Sequence, residues 1–142
     1  MMFKNLTSLF VVAICMSAAT AQAQTFKMPC EVEGVIPAME DKKIPPERIE
    51  VEIQGLGKNI FMKTVGSKYY QAITNSLTTD DFVGKNLTTE KGMGATRKHK
   101  KTGYESEIFI DRQTVMLTAF QDVEERGKKV RVQFTGPCTL PK

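Results

Sequence analysis

Apolar and polar residues alternate along much of the chain. The clearest run is "RIEVEIQG", where Ile49, Val51 and Ile53 share one parity and Arg48, Glu50, Glu52 and Gln54 the other. A period of two predicts a half-buried β-strand. "TFKMPCEVEGV" places Phe26, Met28, Cys30 and Val32 on one face in the same way. Pro29 puts that strand at a sheet edge, because proline has no N–H for a ladder. "PAMEDKKIPPE", with Pro37, Pro45 and Pro46, reads as a loop. "NIFMKTV" is a partner strand after the turn "GLG". "YESEIFID" sets Ser106, Ile108 and Ile110 against Glu105, Glu107 and Asp111. "DRQT" has the Asp that favours a turn, "VMLTAF" is the next strand, and "EERG" turns the chain again. In "KKVRVQFTG", Val130, Val132 and Phe134 face in, while Lys129, Arg131, Gln133 and Thr135 face out.

Residues 68–87 carry a mixed signal. Tyr69, Gln71, Ile73 and Leu77 fit one face of a strand, but Tyr69, Ile73 and Leu77 also stack at helical spacing. The reading adopted is a strand over 69–75, followed by an irregular or one-turn helical stretch over 78–87, where Thr78 and Asp81 have capping-box spacing. The chain is therefore expected to be mostly β: a small antiparallel sandwich or barrel of about six to seven strands, with at most one short helix.

The first residues follow a different pattern. One cation, Lys4, precedes the apolar run from Leu6 to Ala19, and "TAQAQ" follows. That order is a secretory signal, expected to be cut after Ala23, with a cut after Ala21 as the alternative. The run is shorter than the about 20 residues of a membrane span. A lipid-anchored form at Cys15 is disfavoured by the bulky Ile14 before it. The expected organisation is a signal peptide at 1–23 and a single exported β domain at 24–142, periplasmic or secreted.

Export changes the meaning of the cysteines. Of three, Cys15 leaves with the signal, and Cys30 and Cys138 remain near opposite ends. In an oxidising compartment two such thiols are expected to pair, closing the fold from N- to C-terminus and covering an edge. A metal site would show clustered ligands, and none occur.

Charge adds one feature. The full chain carries +4; losing Lys4 leaves 19 Lys and Arg against 16 acids, or +3. Four cations, Arg97, Lys98, Lys100 and Lys101, concentrate in "TRKHKKTG" around the only histidine, His99. Neither face of that segment is apolar, and burying unpaired charge costs several kcal/mol per group. It is expected to project as a hairpin tip with flexible glycine ends at "GMG" and Gly103. It is either a solvated device that blunts an edge, or an anion-binding arm for a lipid head group or polysaccharide. Nucleic acid is disfavoured, since only Tyr104 stands next to the cations for stacking.

Catalytic sets are sparse. One histidine among cations has no nearby carboxylate to orient it as a base. Glu50 with Glu52 and Glu105 with Glu107 lie on outward parities, Asp80–Asp81 lacks calcium-loop spacing, and the methionines are scattered. No glycine loop has the phosphate-binding pattern. No cofactor and no metal is expected. The reading that follows is a non-enzymatic β domain that binds a protein or cell-envelope component. The alternatives are an anion-binding module using Arg97, Lys98, Lys100 and Lys101, and a small hydrolase using His99 or scattered carboxylates.

Overall fold

In a computed structural model, residues 24–66 and 68–140 are described; the expected signal segment lies outside them. The alternating segments become β1 (Gln24–Ile36), β2 (Lys42–Leu56), β3 (Asn59–Val65), β4 (Ile73–Asn75), β5 (Phe82–Asn86), β6 (Gly92–His99), β7 (Glu105–Asp111), β8 (Met116–Glu125) and β9 (Lys128–Pro137). They form one antiparallel sheet in the order β4-β3-β2-β1-β9-β8-β7-β6-β5. Its two ends meet, because β4 packs against β5, β6 and β7, and the sheet curls into a nearly closed barrel. The core is the inward parity of the strands, including Val32, Ile49, Val51, Met62, Ile108, Leu117 and Phe134.

Nine strands replace the expected six or seven, and the two additions are β5 and β6. Both are weak in the sequence because glycines interrupt the alternation, Gly84 in β5 and Gly92 and Gly94 on the outward parity of β6. The Phe109 ring lies over Gly92 and Gly94, where a Cβ would collide with it. "GMG" is therefore space for an aromatic ring, not a flexible end. Gly84 plays a similar part at the seam, since a Cβ there would collide with the Asn75 carbonyl and the Ser76 backbone. Among the described residues the only helical piece is a 3₁₀ turn at Pro37–Met39. At 78–82 the Thr79 Oγ1 accepts from the N–H groups of Asp81 and Phe82, which makes a turn rather than a helix.

Four further expectations are corrected. First, β1 lies inside the sheet, between β2 and β9. Pro29 is tolerated because its carbonyl, and hence its missing N–H, faces the tail after β9, where Thr139 N donates to Pro29 O at 2.9 Å. Second, Pro45 and Pro46 lie within β2 and not in a loop. The register jumps from Val32–Glu47 to Gly34–Ile44, so the two prolines occupy a bulge where no ladder bond is required. Third, the face of 69–75 is inverted: Tyr70, Ala72, Thr74 and Ser76 point in. Tyr70 is fully buried, its hydroxyl 2.9 and 2.7 Å from the carbonyls of Ile44 and Pro45. Small residues fit there because β4 lies close against β6 and β7. Fourth, the Cys30–Cys138 disulfide forms, but between adjacent strands in mid-sheet, so it covers no edge.

The true edges, β4 and β5, are satisfied by side chains and by one local backbone bond. Thr78 Oγ1 accepts from Gly84 N at 3.1 Å, and Thr79 N donates to Phe82 O at 2.9 Å. Ser106 Oγ donates to the Ile73 carbonyl, and Gln121 Oε1 accepts from Ile73 N at 3.0 Å.

Candidate anion-binding cleft

Antiparallel register places one residue from each of five strands in a row across the inward face. Arg97 pairs with Ser106, Ser106 with Gln121, and Gln121 with Val132; Ile36 follows, one step beyond the Val35–Gln133 pair. At about 4.8 Å per strand this row is roughly 19 Å long. It lies where β4 crosses the barrel end, and beyond it the β8–β9 hairpin continues with the pair Val123 and Val130. The result is a cleft of about 630 Å³. Its floor is polar at the Arg97 end and apolar at the Ile36 end.

The opposite wall comes from the segment whose parity the sequence inverts. Because Tyr70 and Ala72 fill the core, Tyr69 and Ile73 are turned outward and line the cleft, with Met39 at its apolar end. These three are 52%, 41% and 43% exposed. Gln71, Lys42 and Lys68 with Glu124 and Glu125 complete the lining. Three cations against two carboxylates leave one net positive charge in the cleft.

The cations of "TRKHKKTG" do not form one patch. Arg97 is half-buried on the inward face, with its guanidinium 4.1 Å from the centre of the Phe82 ring. Lys98 is exposed on the opposite face, in register with Glu105. Lys100 and Lys101 are exposed in the turn after β6. Residues 96–99 sit between β5 and β7 and so blunt no edge, while the residues that follow form the expected exposed tip of the β6–β7 hairpin. His99 packs edge-on against Phe82, with ring centres 4.9 Å apart, and its Nδ1 accepts from the N–H groups of Lys101 and Thr102. That lone pair holds the turn together, so a proton-accepting role at Nδ1 would compete with it.

A second arginine sharpens the contrast. Arg131 also stacks on a phenylalanine, 3.9 Å from the Phe120 centre. Its Nε bonds Asp122 Oδ1 at 2.7 Å, and an Nη lies 3.5 Å from Glu105. The bond from Asp122 raises the Arg131 pKa despite partial burial. Arg97 forms no ion pair with any carboxylate among the described residues, and burial lowers its pKa. Its N–H donors remain unspent beside an apolar wall.

The acidic pairs are structural in their surroundings. Glu52 lies 4.0 and 3.7 Å from Lys27 and Lys63. Glu107 is half-buried, and burial together with the Glu105 charge raises its pKa. Among the described residues no three His, Cys, Asp or Glu side chains converge to hold a metal ion. A larger groove of about 780 Å³ runs over the outer face beside the Pro45–Pro46 bulge. Its charged neighbours, Glu33 and Lys43, are exposed, so it contains no desolvated charge comparable to Arg97. Sequence reasoning identified Arg97 but not Met39, Tyr69, Ile73, Gln121 or Val123 as its neighbours. The signal for the wall was the run of small residues, Ala72, Thr74 and Ser76, on the parity opposite Ile73. No protein-family model matches the chain, and neither a curated protein nor a solved structure matches it.

Proposed function

We propose that the chain is an exported, non-enzymatic binding domain that holds an anionic group of a cell-envelope component in the cleft at the barrel end. The observation that carries this reading is Arg97: a half-buried guanidinium, stacked on Phe82, facing an apolar wall and lacking a carboxylate partner. A planar fork of N–H donors of this kind recognises carboxylate or phosphate. Partial desolvation strengthens such a bond relative to one made in water. Barrel mouths with an apolar lining and a few convergent polar groups are common sites for small ligands. The export signal and the disulfide favour an envelope setting.

The test is fluorescence titration with the anionic apolar probe 1-anilinonaphthalene-8-sulfonate. Arg97→Gln should weaken binding about 10- to 100-fold, the equivalent of one charge-assisted hydrogen-bonding group. The triple variant Lys98→Gln, Lys100→Gln, Lys101→Gln should bind like the parent, because none of the three lines the cleft. Equal loss in the two variants would make the basic turn a diffuse electrostatic surface. An unchanged affinity for Arg97→Gln would reject the cleft.

A further inference from the structure

Resting on the reading of the cleft as an Arg97-centred site, we infer that its ligand is a single-chain amphiphilic acid, with its carboxylate on Arg97 and its alkyl chain laid along the five-strand row toward Ile36 and Met39. Three features select this class.

The first is polarity along one line. Of the row, Arg97 and Gln121 line one end of the cleft and Val132 and Ile36 the other, with the adjoining pair Val123–Val130 widening the apolar end, while Ser106 is buried against Ile73. A ligand that satisfies both ends must carry charge at one terminus and hydrocarbon at the other. A sugar or a bare phosphate would satisfy the first end only.

The second is charge balance. Arg97, Lys42 and Lys68 face Glu124 and Glu125 in the same cleft. One net positive charge suits a monoanion. Lys42, Lys68, Glu124 and Glu125 are exposed, so Arg97 is the one partly desolvated charge of the lining, and a single negative charge matches it.

The third is shape. The row spans roughly 19 Å across five strands, and the opposite wall is the outward set Tyr69, Gln71 and Ile73. Gln121 is not available as a second anchor, because its Oε1 accepts from Ile73 N and its Nε2 donates to the Asp122 carbonyl. Arg97 is the half-buried donor group of the cleft, and its guanidinium matches one carboxylate; Lys68 and Gln71, also in the lining, are exposed. The cleft joins Arg97 to Ile36 at the two ends of that row, so an extended chain can reach both.

The experiment is isothermal titration of the exported domain with octanoate, decanoate and dodecanoate below their aggregation limits. Acetate, dodecyltrimethylammonium and an acidic peptide are the comparison probes. Affinity should rise about fourfold for each added CH₂, the fold-change of its burial. Acetate should bind too weakly to measure, and the cationic amphiphile should not compete. Arg97→Gln should weaken all three alkanoates by a common factor. Met39→Gln, a change at an exposed position, should reduce the gain from decanoate to dodecanoate and leave octanoate unchanged. Affinity independent of chain length, with an Arg97-dependent response to the sulfonate probe intact, would overturn the acyl ligand and leave the anion site standing. Loss of Arg97 dependence for every anion would overturn both. Tighter binding of the acidic peptide than of dodecanoate would replace the amphiphile with a protein partner. The chain-length series on the parent protein decides the question even if a variant fails to fold.

Discussion

Asp122→Ala should cost the domain about 3 kcal/mol. The Asp122 side chain is fully buried, and its carboxylate accepts from Arg131 Nε at 2.7 Å, from Arg131 Nη2 at 3.1 Å and from Glu105 N at 2.9 Å. Bonds to a charged group contribute about 1.5–3 kcal/mol each to stability. The Arg131 side chain is 37% exposed, so it can rehydrate when its partner is lost, and its share belongs at the low end. The half-buried Glu105 N–H is left without an acceptor, at about 1–2 kcal/mol. Together these give roughly 2–4 kcal/mol, or a fall of about 10 °C in Tm for a domain of this size. Urea denaturation of the oxidised protein should show a lower midpoint at an unchanged slope. A pH series supplies an independent check. Burial pushes the Asp122 carboxyl up, but the Arg131 bond, the Glu105 N–H and the charges of Arg131 and Lys129 outweigh it and hold the pKa below the ordinary carboxylate value. The stabilisation is therefore complete above the ordinary value and is lost as pH falls through the lower, folded one. The gap between parent and variant should be full at neutral pH and should close under strong acid. A gap under about 1 kcal/mol, or one that persists unchanged into strong acid, would refute the reasoning. So would a double-mutant cycle with Arg131→Met that shows no coupling.

Two further outcomes are expected. Reducing Cys30–Cys138, which are 108 residues apart, should lower stability by up to about 4–5 kcal/mol, and thiol labelling of the domain over residues 24–142 before reduction should find no free cysteine; two labelled thiols would contradict the pairing. Gly84→Val should force β5 away from the Asn75–Ser76 backbone, cost about 2–3 kcal/mol and expose a strand edge, seen as lower Tm with concentration-dependent sedimentation; an unchanged Tm would show that the seam is not packed as described.

Much of the fold was legible because period-two alternation is strong wherever one face is covered by branched side chains. Ile49, Val51 and Ile53 in β2, and Val132 and Phe134 in β9, occupy the parities their pattern predicts. The signal failed where packing is made by absence. At Gly92 and Gly94 the inter-strand space is filled by Phe109, a residue outside the strand, and nothing local announces it. At 70–76 the side chains turned inward are mostly small, so the larger, more apolar Ile73 and Leu77 misled the assignment of faces. The prolines at 45 and 46 were read as a loop because a bulge depends on register with β1, which a single strand does not encode. The cleft was illegible for the same reason. Its row joins five strands, and only pairing reveals that Arg97 stands in line with Val132.

That alignment decides how Arg97 should be understood. On β6, the inward parity holds Met93, Ala95 and Arg97, and the neighbouring Ile108 is fully buried. An arginine continuing an apolar row breaks the pattern that builds the rest of the barrel. Arg131 occupies an outward position, yet it receives Asp122 and Glu105. If Arg97 served the fold, the same chemistry would be expected near it: a carboxylate on β5 or β7 to offset its desolvation. The cross-strand partners are instead Gly84 and Ser106, and Ser106 Oγ is committed to Ile73. The barrel thus carries the desolvation of this cation with only a phenylalanine ring against it, worth on the order of 1 kcal/mol. A position that violates the local rule without an internal compensation is where a binding role is expected. On the proposed reading the missing partner is the ligand, whose carboxylate would do for Arg97 what Asp122 does for Arg131.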